Sequence, residues 1–283
     1  MFNSSPLSVR PTAMFPILRF LIAAFLCLVL VSCHAPRSKS LLNSMFKPQP
    51  LRVGIATDSP PLIMKKNGQP SGIELEFARG LAGSLQRPLK LVELPRNDLA
   101  NALLSKQIDI IMAGMSVAVA QRQKLATTAP YLISGQVALV RLDDFKQLGY
   151  GSRNLSSANI RLGVVADSPG DTLLKGLKPK GSISRFPSGP EGLRALITKN
   201  IDVFIHDLPS NDYYAALFID RGLTPGVTLL TREPLAWAVH PDNTALRQEA
   251  NTYLDGLTRS GELEKMLARA IPFYRNTAYS PNP

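Results

Sequence analysis

The sequence predicts an α/β protein made of two similar lobes that are joined by a two-stranded hinge. The first observation is a repeated phrase: ALLSKQIDIIMAG begins at Ala102 and ALITKNIDVFIHD begins at Ala195. This spacing exceeds the roughly 20–50 residues of a solenoid repeat and therefore indicates two globular halves. The second observation is that short apolar runs alternate with amphipathic stretches, which is typical of parallel β-α-β units.

The first half begins at residue 51 and reads as strands separated by helices. The predicted strands are LRVGIAT (51–57), LKLVEL (89–94) and IDIIMAG (108–114). A first helix follows the turn NGQPSG (67–72), because apolar residues then recur at helical spacing, and a second helix covers Asp98–Lys106. Ser71 and Glu74 have the spacing of a capping box, so Glu74 is expected to cap the first helix rather than to contact a ligand.

The second half repeats this organisation. Its predicted strands are RLGVVA (161–166), SISRF (182–186) and IDVFIH (201–206), with helices that begin at Pro169 and Pro190. Two extended segments connect the halves, SGQVALVR (134–141) and VTLLTREPLAWAV (227–239), and they predict a two-stranded hinge. The expected boundaries are lobe 1 at 51–136 and 236–283, and lobe 2 with the hinge strands at 137–235.

The two copies of the repeated phrase locate a cleft. In open parallel sheets, ligands bind beyond the carboxyl ends of the strands, where helix N-termini present free N–H groups. Each copy ends on such a strand end, one in each lobe, so the two ends are expected to face each other. Asp109 and Asp202 precede these strands and are expected to be turn or surface residues.

Residues 1–32 predict an export signal. Phe20–Val31 is an unbroken apolar run, Arg19 precedes it, and no acidic residue occurs before it. The run is too short to span a bilayer and has the form of a signal-peptide core. It ends in LVSC, which resembles the bacterial lipoprotein box and predicts lipidation of Cys33; the alternative is a plain signal peptide. Residues 33–50 contain prolines and several serines and lysines, which predicts a tether.

Composition excludes several classes of site. The two cysteines, Cys27 and Cys33, lie inside or at the end of the apolar run, so no disulfide and no zinc site are expected in the mature chain. No metal or other cofactor is expected. The chain has 32 basic and 21 acidic residues, but the basic residues are scattered, which does not favour binding to nucleic acid.

Six segments carry a family resemblance, and they run in family order over nearly all of 51–270. The segments are LRVGIATDSPPL, SGIELEFARGLA, IDIIMAGMS, APYLISGQVALV, IDVFIHDLPSN and LTRSGELEKML. In these segments the chain resembles the bacterial extracellular solute-binding proteins of family 3, the polar amino-acid-type receptors of ABC importers. The resemblance implies a periplasmic-binding-protein-like fold of type II, with two α/β lobes that close on a small ligand. It also implies a periplasm-facing monomer that works with an inner-membrane ABC permease.

The resemblance also implies a set of ligand-binding residues. Gly114 and Ser116 fall where the family contacts the backbone-like end of the ligand. Asp207 falls where an aspartate pairs with the ligand ammonium, although an aspartate at a strand end is also a common helix cap. Ser168 falls in the lobe 2 loop that meets the carboxylate, and Asp58 falls in the first-strand loop that lines the cleft.

Departures from the family pattern leave two questions open. The family arginine that binds the ligand carboxylate lies seven residues after the glycine equivalent to Gly114, and that position is Gln121 here, with Arg122 next to it. Either a one-residue shift brings Arg122 into place or the carboxylate clamp is absent. The aromatic residues that sandwich the ligand side chain are missing, and Arg96 stands near one of them. Arg96 either meets an acidic group of the ligand or is exposed.

The leading interpretation is a lipid-anchored receptor that captures an amino acid or a derivative for an ABC importer. One alternative is a sensory or regulatory module, because LPRNDLANALL resembles the regulatory half of membrane-bound lytic transglycosylases. A second alternative is a dehydratase-like enzyme of the same fold, which needs a positioned acid or base, and Asp58 and Asp207 are the candidates available in the cleft.

Overall fold

The computed structural model describes residues 48–151, 155 and 160–274. The predicted signal peptide, Cys33 and most of the predicted tether lie outside the described residues. Within the described part, the chain forms two lobes that each contain a β-sheet and helices. The two-lobed α/β fold is therefore confirmed.

Lobe 1 is built on a five-stranded sheet in the order β5-β1-β6-β15-β7. Its strands are β1 (Leu51–Ile55), β5 (Leu89–Glu93), β6 (Ile110–Ile111), β7 (Ala126–Thr127) and β15 (Ala238–Val239). β1 runs parallel to β5 and β6, whereas β15 runs antiparallel to β6 and β7. The C-terminal part of the chain thus completes the first sheet. A small meander of β2 (Asp58–Ser59), β3 (Ile63–Lys66) and β4 (Gln69–Ser71) flanks it.

The helices of lobe 1 cover a core that includes a group of aromatic rings. The helices are α1 (Ile73–Ser84), α2 (Leu99–Leu104), α3 (Val117–Arg122), α8 (Thr244–Arg259) and α9 (Glu262–Ala270). Phe77 on α1 packs 5.4 Å from both Tyr131 and Trp237, measured between ring centroids. Trp237 is fully buried. The segment that returns from lobe 2 is therefore held in the core of lobe 1.

Lobe 2 repeats the arrangement with a sheet in the order β11-β10-β12-β9-β13. Its strands are β9 (Gln136–Arg141), β10 (Leu162–Val165), β11 (Ile183–Phe186), β12 (Val203–Asp207) and β13 (Leu223–Pro225). Its helices are α4 (Phe145–Leu148), α5 (Pro169–Leu177), α6 (Gly189–Ile197) and α7 (Leu208–Leu217). β10 is parallel to β11 and β12, so α5 and α7 begin at the same edge of the sheet.

Two extended strands connect the lobes. β8 (Leu132–Ser134) pairs antiparallel with β14 (Glu233–Leu235), and Glu233 lies opposite Ser134. β8 continues almost directly into β9 of lobe 2, and β14 leads back to β15 of lobe 1. Because directly opposite residues of an antiparallel pair share one face, the side chains of Glu233 and Ser134 lie side by side.

Asp109 and Asp202 lie in bends just before β6 and β12 and away from the cleft, as expected of turn residues, and both also have a structural role. Asp109 accepts a hydrogen bond from the backbone N–H of Arg52 at 2.8 Å and forms an ion pair with the Arg52 side chain at 2.6 Å. Asp202 makes the same two contacts with Arg161, at 2.9 and 2.6 Å. The hydrogen bonds from Arg161 lower the pKa of Asp202 to about 2. Each aspartate thus ties the start of one parallel strand to its neighbour, once in each lobe.

Candidate functional site

A cleft of about 1440 Å³ lies between the lobes and is lined by residues from both. Pockets that enclose a small ligand measure about 300–1,000 Å³. The cleft exceeds that range, so it has room for a small ligand. At one end, the hydroxyl of Ser210 on α7 donates a hydrogen bond to the Pro60 carbonyl of lobe 1 at 2.7 Å.

Three capped helix N-termini lie at the cleft. Ser116 accepts a hydrogen bond from Val119 N at the start of α3, and Ser168 accepts one from Asp171 N at the start of α5. Asp207 caps α7 in the same way. All three capping residues line the cleft. Helix N-termini carry partial positive charge and free N–H groups, so this edge suits polar and anionic parts of a ligand.

Asp207 combines its capping role with a position on the wall of the cleft. Its carboxylate accepts from Ser210 N at 3.2 Å and contacts His206 Nδ1 at 2.9 Å, and its side chain remains 25% exposed. Burial raises the pKa of Asp207, but the electrostatic interaction with His206 and the hydrogen bonds from His206 and Ser210 outweigh burial and lower it to about 2. The cleft therefore contains an ionised carboxylate that can accept hydrogen bonds from a cation.

Asp58 and Arg96 form one unit on the lobe 1 wall. Arg96 Nε donates to both oxygens of Asp58, at 3.1 and 3.0 Å, and Nη2 donates to Asp58 and to Ser59 Oγ. Nη1 donates to the carbonyl of Ala113 at 3.0 Å. Arg96 lines the cleft and is only partly exposed, so of the two expectations the one of a contact with an acidic group of the ligand stays open. Arg96 is bound to the aspartate with which it shares the cleft wall.

Gly114 lines the cleft, and its N–H forms a hydrogen bond within the protein. This N–H donates to Oε1 of Glu74 at 2.7 Å. Gly114 has a φ of 63°, a left-handed conformation in which glycine is favoured. The N–H of Gly114 is therefore used inside the protein, and its carbonyl is the backbone group that it can offer to a ligand.

The prediction that Glu74 caps the first helix is wrong. The N-cap of α1 is Gly72 and not Ser71, which moves Glu74 out of the capping-box position by one residue. Gly72 has a φ of 129°, and a Cβ there would lie 2.4 Å from the Leu62 carbonyl oxygen, so the close chain crossing requires glycine. The Glu74 side chain instead points inward, fully buried, beneath the cleft.

Three donors meet at the Glu74 carboxylate. Oε1 accepts from Gly114 N and from the Tyr131 hydroxyl, both at 2.7 Å, and Oε2 accepts from Trp237 Nε1 at 3.0 Å. Burial raises the pKa of Glu74, and these hydrogen bonds offset part of the rise. Glu74 thus joins the strand-end loop at Gly114 to the aromatic core of lobe 1.

The structure distinguishes between the two neighbouring candidates at the end of α3. Both residues are exposed, but Arg122 lines the cleft and Gln121 does not. Among the described residues, none forms a hydrogen bond or an ion pair with the Arg122 guanidinium, although it acts electrostatically on Glu233. Arg122 is therefore a cation that is available to the cleft.

Glu233 is a cleft residue that the sequence did not reveal. It lies on β14, its Oε1 accepts from the Thr231 hydroxyl at 2.7 Å, and burial raises its pKa. His206 also lines the cleft, and it packs against Phe204 with ring centroids 5.3 Å apart. Glu233 belongs to no motif with local spacing. His206 lies in the repeated phrase directly before Asp207, but the phrase alone does not separate cleft residues from core residues.

Two other features are absent from the described ranges 48–151 and 160–274. No helix there is both long and apolar enough to cross a membrane. No cluster of three histidine, cysteine or acidic side chains in the same ranges could hold a metal ion.

Two α/β lobes, two connecting strands and a cleft lined from both sides define a two-lobed ligand-binding protein. Residues 51–272 match the family of bacterial extracellular solute-binding proteins, family 3, and the chain belongs to this family.

Individual relatives agree with this assignment. The amino-acid-binding protein AabA of Dichelobacter nodosus is 28% identical over 219 residues, which cover 74% of this chain and 82% of that protein. A binding component of an ABC transporter from Wolinella succinogenes, complexed with lysine, is 25% identical with a TM-score of 0.73, covering 78% of this chain and 95% of that one. The ancestral amino acid-binding protein AncCDT-1, a precursor of cyclohexadienyl dehydratase, is 26% identical with a TM-score of 0.70, covering 82% and 100%.

Proposed function

We propose that this chain captures an amino acid or a related polar solute and delivers it to an inner-membrane ABC permease. The observation that carries the proposal is the ionised Asp207 on the lobe 2 wall together with Arg122 on the lobe 1 wall. An α-amino acid has an ammonium and a carboxylate on neighbouring atoms, so it can engage both side chains. The names of AabA and of the lysine-bound Wolinella succinogenes structure support this class of ligand.

Each cleft residue then has a role in binding. Arg122 pairs with the ligand carboxylate, and the helix N-termini at Ser116 and Ser168 add N–H donors to it. Asp207 pairs with the ammonium. Gly114 contributes its carbonyl, because its N–H is bound to Glu74. Contacts from both lobes form together in the closed state, so the ligand favours closure by the difference in its affinity for the two states.

Closure gives the first testable prediction. A saturating amino-acid ligand, identified by calorimetric titration of an amino-acid panel, should lower the radius of gyration measured by small-angle scattering. Arg122→Ala should lose most of the affinity, because it removes a charge-assisted, bidentate contact with the carboxylate.

Gln121→Ala is the matched control, since Gln121 lies on the same helix but outside the cleft. It should bind and close as the wild type does. Scattering curves that coincide with and without a saturating ligand would contradict closure, and binding of none of the panel would contradict the proposed ligand class.

The proposal extends to where the protein works. We propose that residues 1–32 direct export, that Cys33 carries the lipid and that residues 33–50 tether the lobes to the periplasmic face of a membrane. Metabolic labelling with a fatty-acid analogue should label the wild type and not Cys33→Ala. Cys27→Ala is the control, because Cys27 lies inside the apolar run and should not affect labelling. Equal labelling of wild type and Cys33→Ala would exclude this anchor.

Neither of the two cleft aspartates is set up as a general acid. A general acid must hold a proton near the working pH, but the pKa of Asp207 is lowered to about 2. Asp58 is engaged by Arg96 through both of its oxygens. AncCDT-1 is described as a precursor of a dehydratase, yet neither of the acids predicted for such chemistry is set up as a proton donor here.

A further inference from the structure

We propose that Arg96 determines the specificity of the cleft. By holding Asp58, it selects a ligand whose side chain carries an oxygen acceptor and no positive charge. The inference rests on the proposed function and adds the class of amino acid to it. The ion pair between Arg96 and Asp58, both of which line the cleft, carries the argument.

Both carboxylate oxygens of Asp58 accept hydrogen bonds from Arg96. Arg96 Nε bridges both carboxylate oxygens, at 3.1 and 3.0 Å, and Nη2 donates to the same carboxylate. Ser59 Oγ at 2.7 Å and the Ala113 carbonyl at 3.0 Å hold the guanidinium independently of Asp58. The Asp58 side chain is 52% exposed, so a cationic ligand side chain that approaches it lies beside a guanidinium that these further hydrogen bonds retain.

The charge that faces a ligand at this wall is therefore that of Arg96 as well as that of Asp58. The Arg96 side chain is 34% exposed in the cleft. Glu74 beneath the wall and Asp207 on the other lobe act on it electrostatically and favour its charged form. A second cation placed beside it meets a like charge, and such a contact is unfavourable.

Arg96 retains a donor for the ligand. A guanidinium has five N–H donors. The contacts described use Nε, both N–H groups of Nη2 and one N–H group of Nη1. The second N–H of Nη1 is left for an acceptor, such as the amide oxygen of glutamine or the carboxylate of glutamate.

Removal of Arg96 should reverse the preference, because it leaves the Asp58 carboxylate on the cleft wall without its cationic partner. Calorimetric titration with arginine and citrulline tests this directly, since the two have nearly the same shape and differ in charge. Glutamine and lysine provide a second neutral and cationic pair. Wild type should bind citrulline and glutamine at least about tenfold more tightly than arginine and lysine. In Arg96→Ala, the ratio of citrulline affinity to arginine affinity and the ratio of glutamine affinity to lysine affinity should each fall by at least about tenfold.

Three further variants test whether the freed Asp58 carboxylate causes the shift in preference. Arg96→Ala combined with Asp58→Asn should lose the shift, because the freed carboxylate is then absent. Arg96→Gln keeps an amide donor for Ser59 or the Ala113 carbonyl and should show the same shift if the alanine variant folds poorly. Arg269→Ala removes an arginine that pairs with Glu76 at 2.7 Å outside the cleft, and it should leave both ratios unchanged.

The outcomes are distinct. Wild type that binds arginine or lysine as tightly as citrulline or glutamine overturns the inference and leaves the proposed function standing. Equal weakening of all four ligands in both Arg96 variants also overturns it, because Arg96 would then only hold the wall in place. If wild type binds none of these ligands or any other amino acid, the proposed function fails and the inference fails with it.

Discussion

Glu74→Ala should lower the free energy of unfolding by about 3–5 kcal/mol, since it leaves three buried donors without an acceptor. These donors are Gly114 N–H, the Tyr131 hydroxyl and Trp237 Nε1–H. Each buried unsatisfied donor costs about 1–3 kcal/mol, and the cavity left by the side chain adds to this loss. Urea denaturation measures the change, and the fluorescence of Trp237 should shift because its hydrogen bond is lost.

Two control variants identify the cause. Glu74→Gln has a single acceptor oxygen, so it can keep the bonds from Gly114 and Tyr131 only by placing its NH₂ group against Trp237 Nε1–H. Its loss should be intermediate. Glu76→Ala lies on the same helix and breaks an exposed ion pair, which should cost less than about 1 kcal/mol. Equal losses in Glu74→Ala and Glu76→Ala would contradict a special role for Glu74.

The protonation of Glu74 makes the stability of the folded protein depend on pH in a defined direction. The pKa of Glu74 is raised in the folded protein, chiefly by burial. The stability linked to its proton is therefore complete below the ordinary glutamate pKa, and it is lost as the pH rises through the raised value. The difference in unfolding free energy between wild type and Glu74→Gln should accordingly fall as the pH rises through this window.

Glu74 also illustrates where prediction from sequence ends. The two lobes and their connecting strands follow from patterns that are local or repeated, such as the Ile-Asp phrase at the start of β6 and β12. The role of Glu74 depends on partners that are distant in the sequence: Tyr131 is 57 residues away and Trp237 is 163 residues away. A local capping pattern is present, but the conformation of Gly72 overrides it.

The walls of the cleft were predictable in part, for the same physical reason. Asp58, Gly114, Ser116, Ser168 and Asp207 line the cleft, as the strand ends and the family resemblance implied. Arg96 and Arg122, whose places were left open, also line it, whereas Gln121 does not. The pairing of Asp58 with Arg96 joins residues that are 38 positions apart, and neither residue carries a signal of its partner. Glu233 lies on a connecting strand, where the sequence pattern does not indicate which face is turned to the ligand.

Asp207 is the residue on which the binding proposal depends most, and Asp207→Ala should weaken ligand binding by about 2–5 kcal/mol. That range is typical when one partner of a desolvated charge pair is removed, because the ligand ammonium then remains buried without its counter-charge. The same change removes the cap of α7 and should lower the free energy of unfolding by about 1 kcal/mol. Calorimetric titration and urea denaturation measure the two effects separately.

Asp207 is ionised at neutral pH, so its protonation does not affect the measured affinity. Its pKa is lowered to about 2, so its contribution to stability is present above the ordinary aspartate pKa and is lost as the pH falls towards about 2. Affinity measured at neutral pH therefore reports the carboxylate form, and a loss in the variant cannot be ascribed to partial protonation of the wild type.

Asp207→Asn separates capping from ligand binding, because asparagine accepts a hydrogen bond at an N-cap as well as aspartate does but carries no charge. It should recover most of the stability and little of the affinity. Asn243→Ala is the converse control: Asn243 caps α8 away from the cleft by accepting from Leu246 N at 3.2 Å. It should lose about 1 kcal/mol of stability and retain the affinity. If Asp207→Asn instead binds the ligand as tightly as the wild type does, the carboxylate serves the fold alone and the ammonium must be bound elsewhere in the cleft.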